Sequence, residues 1–210
     1  MKMFRKVPIP LLVILCACSS ISYSQNTTIS LGGGYVGSMV NNTRDIGFNI
    51  QADAYYPLTK LFGISVGANY VQYHDYTYEF TLYNLNWTTY NAYSNPVSRN
   101  QVTLFAGISL GNMDSDELLN YSFTAGAGAG IFSQGQIYYP DYRNIYNGNY
   151  YYSIETVPAM NLKLSGIYLS GRASVKLYNE MRIYIEPSLN TWNERRRTNY
   201  VINSGVSLSL

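Results

Sequence analysis

From Asp45 to Tyr56 the chain changes character at every residue. Ile46, Phe48, Ile50, Ala52, Ala54 and Tyr56 take the even positions, and Asp45, Gly47, Asn49, Gln51, Asp53 and Tyr55 the odd ones. A β-strand turns successive side chains to opposite faces, so a strict period of two describes a ribbon with one apolar and one polar side. Val102, Leu104, Ala106, Ile108 and Leu110 repeat the pattern, as do Tyr200, Ile202, Val206, Leu208 and Leu210. So do stretches beginning at Ile29, Phe62, Leu119, Ile167 and Met181. Eight strands are predicted. Leu162 and Leu164 run in the opposite phase to Ile167, and a bulge near Ser165–Gly166 would restore it.

The spacing of the strands supplies a second constraint. The predicted connections are 41–44, 57–60, 81–100, 112–117, 133–158, 178–180 and 193–198. The second, fourth and sixth are short, and the third and fifth are long. An up-and-down membrane barrel that starts on the periplasmic side has this rhythm, with tight turns inside and longer loops outside. In that topology Arg99 and Arg143 belong to outer loops and Lys60 to a periplasmic turn.

The first two dozen residues are of another kind. Lys2, Arg5 and Lys6 precede the apolar run Val7 to Cys18, and Ser22-Tyr23-Ser24 offers small residues at the −3 and −1 positions before Gln25. This is the layout of an export signal, 1–24, with the barrel in 25–210. Leu15-Cys16-Ala17-Cys18 also resembles a lipobox, in which Cys18 would carry lipid instead. Signal removal takes three of the 14 basic residues and both cysteines, leaving eleven bases against 12 acids and no thiol chemistry.

Composition separates a membrane barrel from a soluble ligand-binding one. A soluble exterior is rich in Lys and Glu, yet only 12% of this chain is charged. The polar parity is small and Gly/Ser-rich, with charges of both signs, which suits a crowded lumen. Low charge also speaks against nucleic acid as a partner. The expected class is all-β, an eight-stranded antiparallel up-and-down transmembrane β-barrel of the outer membrane, in contact with its lipid and lipopolysaccharide.

Tyr55 to Tyr70 (YYPLTKLFGISVGANY), Lys176 to Asn190 (KLYNEMRIYIEPSLN) and the closing NSGVSLSL resemble the small outer-membrane β-barrel family of Gram-negative bacteria, the OmpA- and OmpX-type barrels. The resemblance spans the whole mature chain and implies the same fold. Members often end in an aromatic residue; this chain ends in Leu210.

Few residues invite chemistry. One His, His74, and no mature Cys exclude a His/Cys zinc site, and no cofactor is expected. Asp114, Asp116 and Glu117 lack the spacing of a calcium loop and read as a solvated turn. His74, with Ser94 or Ser98 folding back, is the one arrangement from which a lipid hydrolase would be built. The competing reading places His74 in an aromatic girdle with Tyr70, Tyr73, Tyr76 and Tyr78.

In the lumen, Arg172 and Glu186 are expected at one depth, with Asp53, Lys176 and Arg182 nearer the periplasmic end. They fill and lock the interior, the alternative being a narrow polar conduit. Trp87, Tyr90, Tyr93, Tyr138, Tyr139, Tyr142, Tyr146, Tyr150, Tyr151 and Tyr152, interleaved with Asn, have a recognition composition suited to a glycan or protein ligand. They equally suit hairpins that simply outgrow the membrane. Arg195-Arg196-Arg197 offers guanidinium groups to lipopolysaccharide phosphates.

Overall fold

The computed structural model describes residues 27–40, 43–59, 61–76, 79–83, 89–112, 117–141, 145–146, 149–150, 153–193 and 198–210. In chain order the strands are β1 (Thr28–Val40), β2 (Thr43–Pro57), β3 (Phe62–Tyr76), β4 (Glu79–Tyr83), β5 (Thr89–Tyr93), β6 (Val97–Asn112) and β7 (Leu119–Gln134). They continue with β8 (Ile137–Asp141), β9 (Ile145–Tyr146), β10 (Asn149–Tyr150), β11 (Ser153–Val157), β12 (Met160–Tyr178), β13 (Met181–Trp192) and β14 (Thr198–Ser209).

Eight of them close a barrel in the order β1-β14-β13-β12-β7-β6-β3-β2. Every pair is antiparallel. Closure leaves no open sheet edge in lipid, where an unpaired backbone group has no water to replace its partner. β1 and β14 make the closing seam, and Leu210 N donates to Thr27 O at 2.8 Å.

The parities predicted from alternation are the two faces of the wall. Leu31, Ile46, Ile50, Leu104, Ile108, Ile167, Ile183 and Ile202 are exposed on the outside. Tyr35, Tyr70 and Tyr200 stand toward one end of this apolar belt, and Tyr56, Tyr121 and Tyr178 toward the other. Such a belt between aromatic girdles is the surface of a membrane-spanning barrel.

Register sets how the strands lean. Following paired residues once round the wall, from Ala173 through Ile185, Ser204, Gly33, Ile50, Tyr70, Val102 and Ile131, returns to β12 at Lys163, ten residues away. This shear tilts the strands by about 40°. Residues far apart in sequence are thereby brought to one depth in the lumen.

The structure overturns two expectations, the bulge in β12 and the open position of Arg99. No bulge interrupts β12 at Ser165–Gly166, because the strand pairs with β7 in unbroken register from Met160 to Val175. Leu162 and Leu164 keep their phase and face the lumen, where an apolar cluster receives them. The irregularities lie elsewhere, between Tyr73 and Tyr76 in β3 and between Lys176 and Tyr178 in β12. Segments 81–100 and 133–158 carry the hairpins β4–β5, β8–β11 and β9–β10, as the hairpin-extension reading expects. Arg99 does not lie in an open loop. It belongs to β6 and is only 6% exposed, because its charge is paired inside the barrel. Arg143 and Lys60 fall outside the described residues.

The wall is therefore uneven. At the long-loop end β3, β6, β7 and β12, neighbours in the barrel, connect to β4, β5, β8 and β11. The opposite side, β13-β14-β1-β2, carries only the connections 193–197 and 41–42.

Candidate functional site

The lumen is filled by two different materials. Toward the short-turn end the Arg172 guanidinium binds both carboxylates that approach it. Its Nη2 donates to Asp53 Oδ2 at 2.7 Å, its Nη1 to Ser30 Oγ at 2.7 Å, and its Nε to Glu186. The same guanidinium lies over the Tyr184 ring, 4.3 Å from its centroid. One cation faces two acids, and neutral donors add further bonds to both carboxylates. Tyr168 Oη donates to Glu186 Oε1 at 2.7 Å, and Gln51 Nε2 donates to Glu186 Oε1 at 2.8 Å and to Asp53 Oδ2 at 3.1 Å. Such donors stabilise charge that burial would otherwise penalise.

A carboxamide relay continues upward. Asn203 Nδ2 donates to Gln51 Oε1, and Asn49 Nδ2 to Asn203 Oδ1, both at 2.8 Å. On the facing wall Ser109 Oγ joins Ser65 Oγ and Thr124 Oγ1 across β3, β6 and β7. Between these walls remains a cavity of about 10 Å³, bordered by Asp53, Arg172, Glu186, Tyr168 and Thr124. That is the space of about one water molecule.

Toward the long-loop end the filling is mostly apolar, around one buried polar knot in which Asn199 Nδ2 donates to Gln101 Oε1 at 3.1 Å and Tyr73 Oη lies 3.0 Å from the same oxygen and 3.2 Å from Asn199 Oδ1. Val36, Val71, Tyr73, Phe132, Leu164, Trp192 and Val201 form one buried cluster, with Met160 and Leu162 against it. Gly128 makes room for the Trp192 indole, since a Cβ there would lie 3.0 Å from the ring. Arg99 caps this plug. Its Nη1 donates to Asp45 Oδ2 at 2.7 Å and its Nη2 to the His74 carbonyl at 3.2 Å. The latter bond falls at the irregular stretch where β3 leaves the barrel register.

Of the five charges expected in the lumen, Asp53, Arg172 and Glu186 meet. Lys176 and Arg182 form a separate level nearer the short turns, directly paired across β12 and β13. Arg182 donates to Ser174 Oγ at 3.1 Å and to the Leu118 carbonyl at 3.2 Å. Asp53 thus departs from the expected grouping, because the tilt of β2 brings it to the depth of Arg172. Gln51, Gln101, Tyr168, Tyr184, Asn199 and the pairing of Asp45 with Arg99 also belong to the interior, beyond what the sequence reading assigns to it. The available signal was bulk on the small-residue parity, where Phe105, Tyr168, Tyr184 and Trp192 stand out among Gly and Ser.

His74 is exposed on the outer face of β3, whereas Tyr73, expected beside it in a girdle, faces the lumen. Ser94 is buried, and its hydroxyl donates to the Asn95 carbonyl at 2.8 Å. Among the described residues no hydrogen bond joins His74 to Ser94 or Ser98.

Of the aromatic residues, Tyr90 and Tyr93 lie in β5, Tyr138 and Tyr139 in β8, Tyr146 in β9 and Tyr150 in β10. Trp87, Tyr142, Tyr151 and Tyr152, the turn at Asp114 and Asp116, the Arg195–Arg197 run, and the signal with Cys18 lie outside the described residues. The bases of the two long hairpins are tied. Asn95 N donates to the Tyr138 carbonyl at 3.0 Å, and Tyr138 N returns a bond to Asn95 Oδ1 at 2.6 Å.

Comparison with solved structures agrees on the fold. The crystal structure of Neisserial surface protein A matches 88% of this chain and 97% of its own, at 10% identity and a TM-score of 0.50. OprG from Pseudomonas aeruginosa matches 88% and 96% at 8% identity and 0.49. Ail, the attachment invasion locus protein of Yersinia pestis, matches 89% and 100% at 10% identity and 0.47. At 10% identity the likeness to Neisserial surface protein A is one of architecture alone, that of a small eight-stranded outer-membrane barrel. No protein-family model matches the sequence, and no curated protein matches it.

Proposed function

We propose that this is a non-enzymatic outer-membrane protein, exported by its N-terminal signal, that presents a raised wall of hairpins to a glycan or protein at the cell surface. The observation that carries this reading is the uneven rim. Connecting strands needs only tight turns, yet β4–β5 and β8–β11 rise on one side and are tied through Asn95 and Tyr138. An ordered platform loses less conformational freedom on binding than a floppy loop does.

Recognition would use the Tyr/Asn composition of these hairpins together with their strand edges. Among the described residues β11 pairs with β8 alone and β4 with β5 alone, so the outer edge of each carries backbone groups of the kind that accept an added strand. Lipid and lipopolysaccharide are the partners of the belt and rim. The filled lumen speaks against a solute conduit.

The test replaces 79–93 and 139–155 by tight turns and screens the purified barrel, in bilayers, against glycans and host matrix proteins. The shortened protein should keep its heat-modifiable migration and lose binding seen with the full chain. Equal binding by both forms would leave only a structural role in the membrane.

A further inference from the structure

The hydrogen-bond ladder between β12 and β13 pairs Gly166 to Ser170 with Trp192 to Ser188 and resumes at Ala173 opposite Ile185. Two positions are missing between them, Gly171 opposite Pro187 and Arg172 opposite Glu186. The cause is chemical. Proline has no N–H to donate, so the Gly171 carbonyl lacks its partner across this seam. The interruption falls between exposed Leu177 and Ile167, within the apolar belt, where water does not substitute. The seams β1–β2, β1–β14, β13–β14, β7–β12 and β6–β7 run without such a gap.

Two further features coincide with the gap. On the lipid side a Cβ at Gly171 would meet nothing within 4 Å, so the surface is notched beside exposed Pro187. On the lumen side one of the two pairs missing from the ladder bonds through its side chains, Arg172 to Glu186. Behind them lies the one-water cavity.

We propose that the β12–β13 seam is a latched breach in the barrel wall. The Arg172–Glu186 ion pair holds a stretch that the backbone does not, and local opening toward lipid begins there when the pair is released. The proposal concerns the wall, and it stands or falls independently of what the hairpins bind.

Amide hydrogen exchange on the full-length protein in phospholipid nanodiscs tests it. The amides of Gly171, Ala173 and Ile185 should exchange about five- to tenfold faster than those of Asn203 and Gly205, the scale of one missing hydrogen bond. Asn203 and Gly205 face the same stretch of β13 from its other side. Glu186→Gln should widen the difference. Pro187→Val, which restores the N–H at an outward position, should erase it. So should a disulfide between Ser170→Cys and Ser188→Cys, which sit opposite each other beside the gap. The Pro187 and disulfide variants keep the proposal testable if Glu186→Gln does not fold. Equal exchange at the two seams, or a difference unmoved by Pro187→Val, overturns it.

Discussion

The two halves of the lumen solve one problem by opposite means. Near the short turns the interior is closed by geometry, with Arg172, Asp53, Glu186, Gln51, Tyr168 and Ser30 each holding another's bonding capacity. Near the long loops it is closed mainly by volume, with Trp192, Phe132, Leu164 and their neighbours packed beneath the Asp45–Arg99 cap and around the Tyr73–Gln101–Asn199 bonds. Directional bonds in a low-dielectric interior fail together, because removing one partner strands the rest. Packed apolar groups fail gradually, because neighbours close part of the space that a truncation leaves. The short-turn half is therefore intolerant of chemical change throughout, whereas in the long-loop half that intolerance is confined to the Asp45–Arg99 pair and the Tyr73–Gln101–Asn199 group.

Substitutions can break or sharpen this contrast. The largest effect is expected from Arg172→Ala, which leaves Asp53 and Glu186 buried without their cation and should destabilise the barrel by about 3–5 kcal/mol. Urea unfolding in lipid vesicles and heat-modifiable migration on gels measure it. Replacing the group by Arg172→Met, Asp53→Leu and Glu186→Met together should recover much of that loss. A triple variant as unstable as the single one would show that packing, not stranded charge, dominates this half.

Leu164→Ala in the plug should cost about 3 kcal/mol, and Leu164→Met much less, since volume is what the plug requires. If the two variants unfold at the same urea concentration, the plug is not close-packed. A smaller loss is expected for Asn203→Ala, which removes the middle of the carboxamide relay and should cost about 2 kcal/mol. His74→Ala, on the exposed outer face, should change stability by less than about 0.5 kcal/mol. It should also leave surface binding intact. Abolition of a lipid-hydrolysing activity by that change would reverse the non-enzymatic reading.

The strands, their faces and the lipid-facing belt were legible from residue order because alternation is local. Ile46, Phe48 and Ile50 point outward whatever β2 pairs with, and eight such segments with alternating short and long connections leave little choice but a closed barrel. The charge of Arg172 and Glu186 could likewise be assigned to the lumen from parity. Leu162 and Leu164 mark where this logic stops. Period two says that they share a face with Tyr168 and Arg172, but not that this face turns apolar near the long-loop end.

Which residues meet inside depends on shear. Asp53 is 119 positions from Arg172 in the chain, and they bond because the ten-residue stagger and strand tilt bring β2 and β12 to one depth across the lumen. Parity carries no information about that stagger. The pairing of Arg99 with Asp45, the apolar plug and the tie between Asn95 and Tyr138 arise in the same way, from contacts between strands whose relative height is a property of the closed wall. Local alternation determines the direction of each side chain, and closure determines its neighbours.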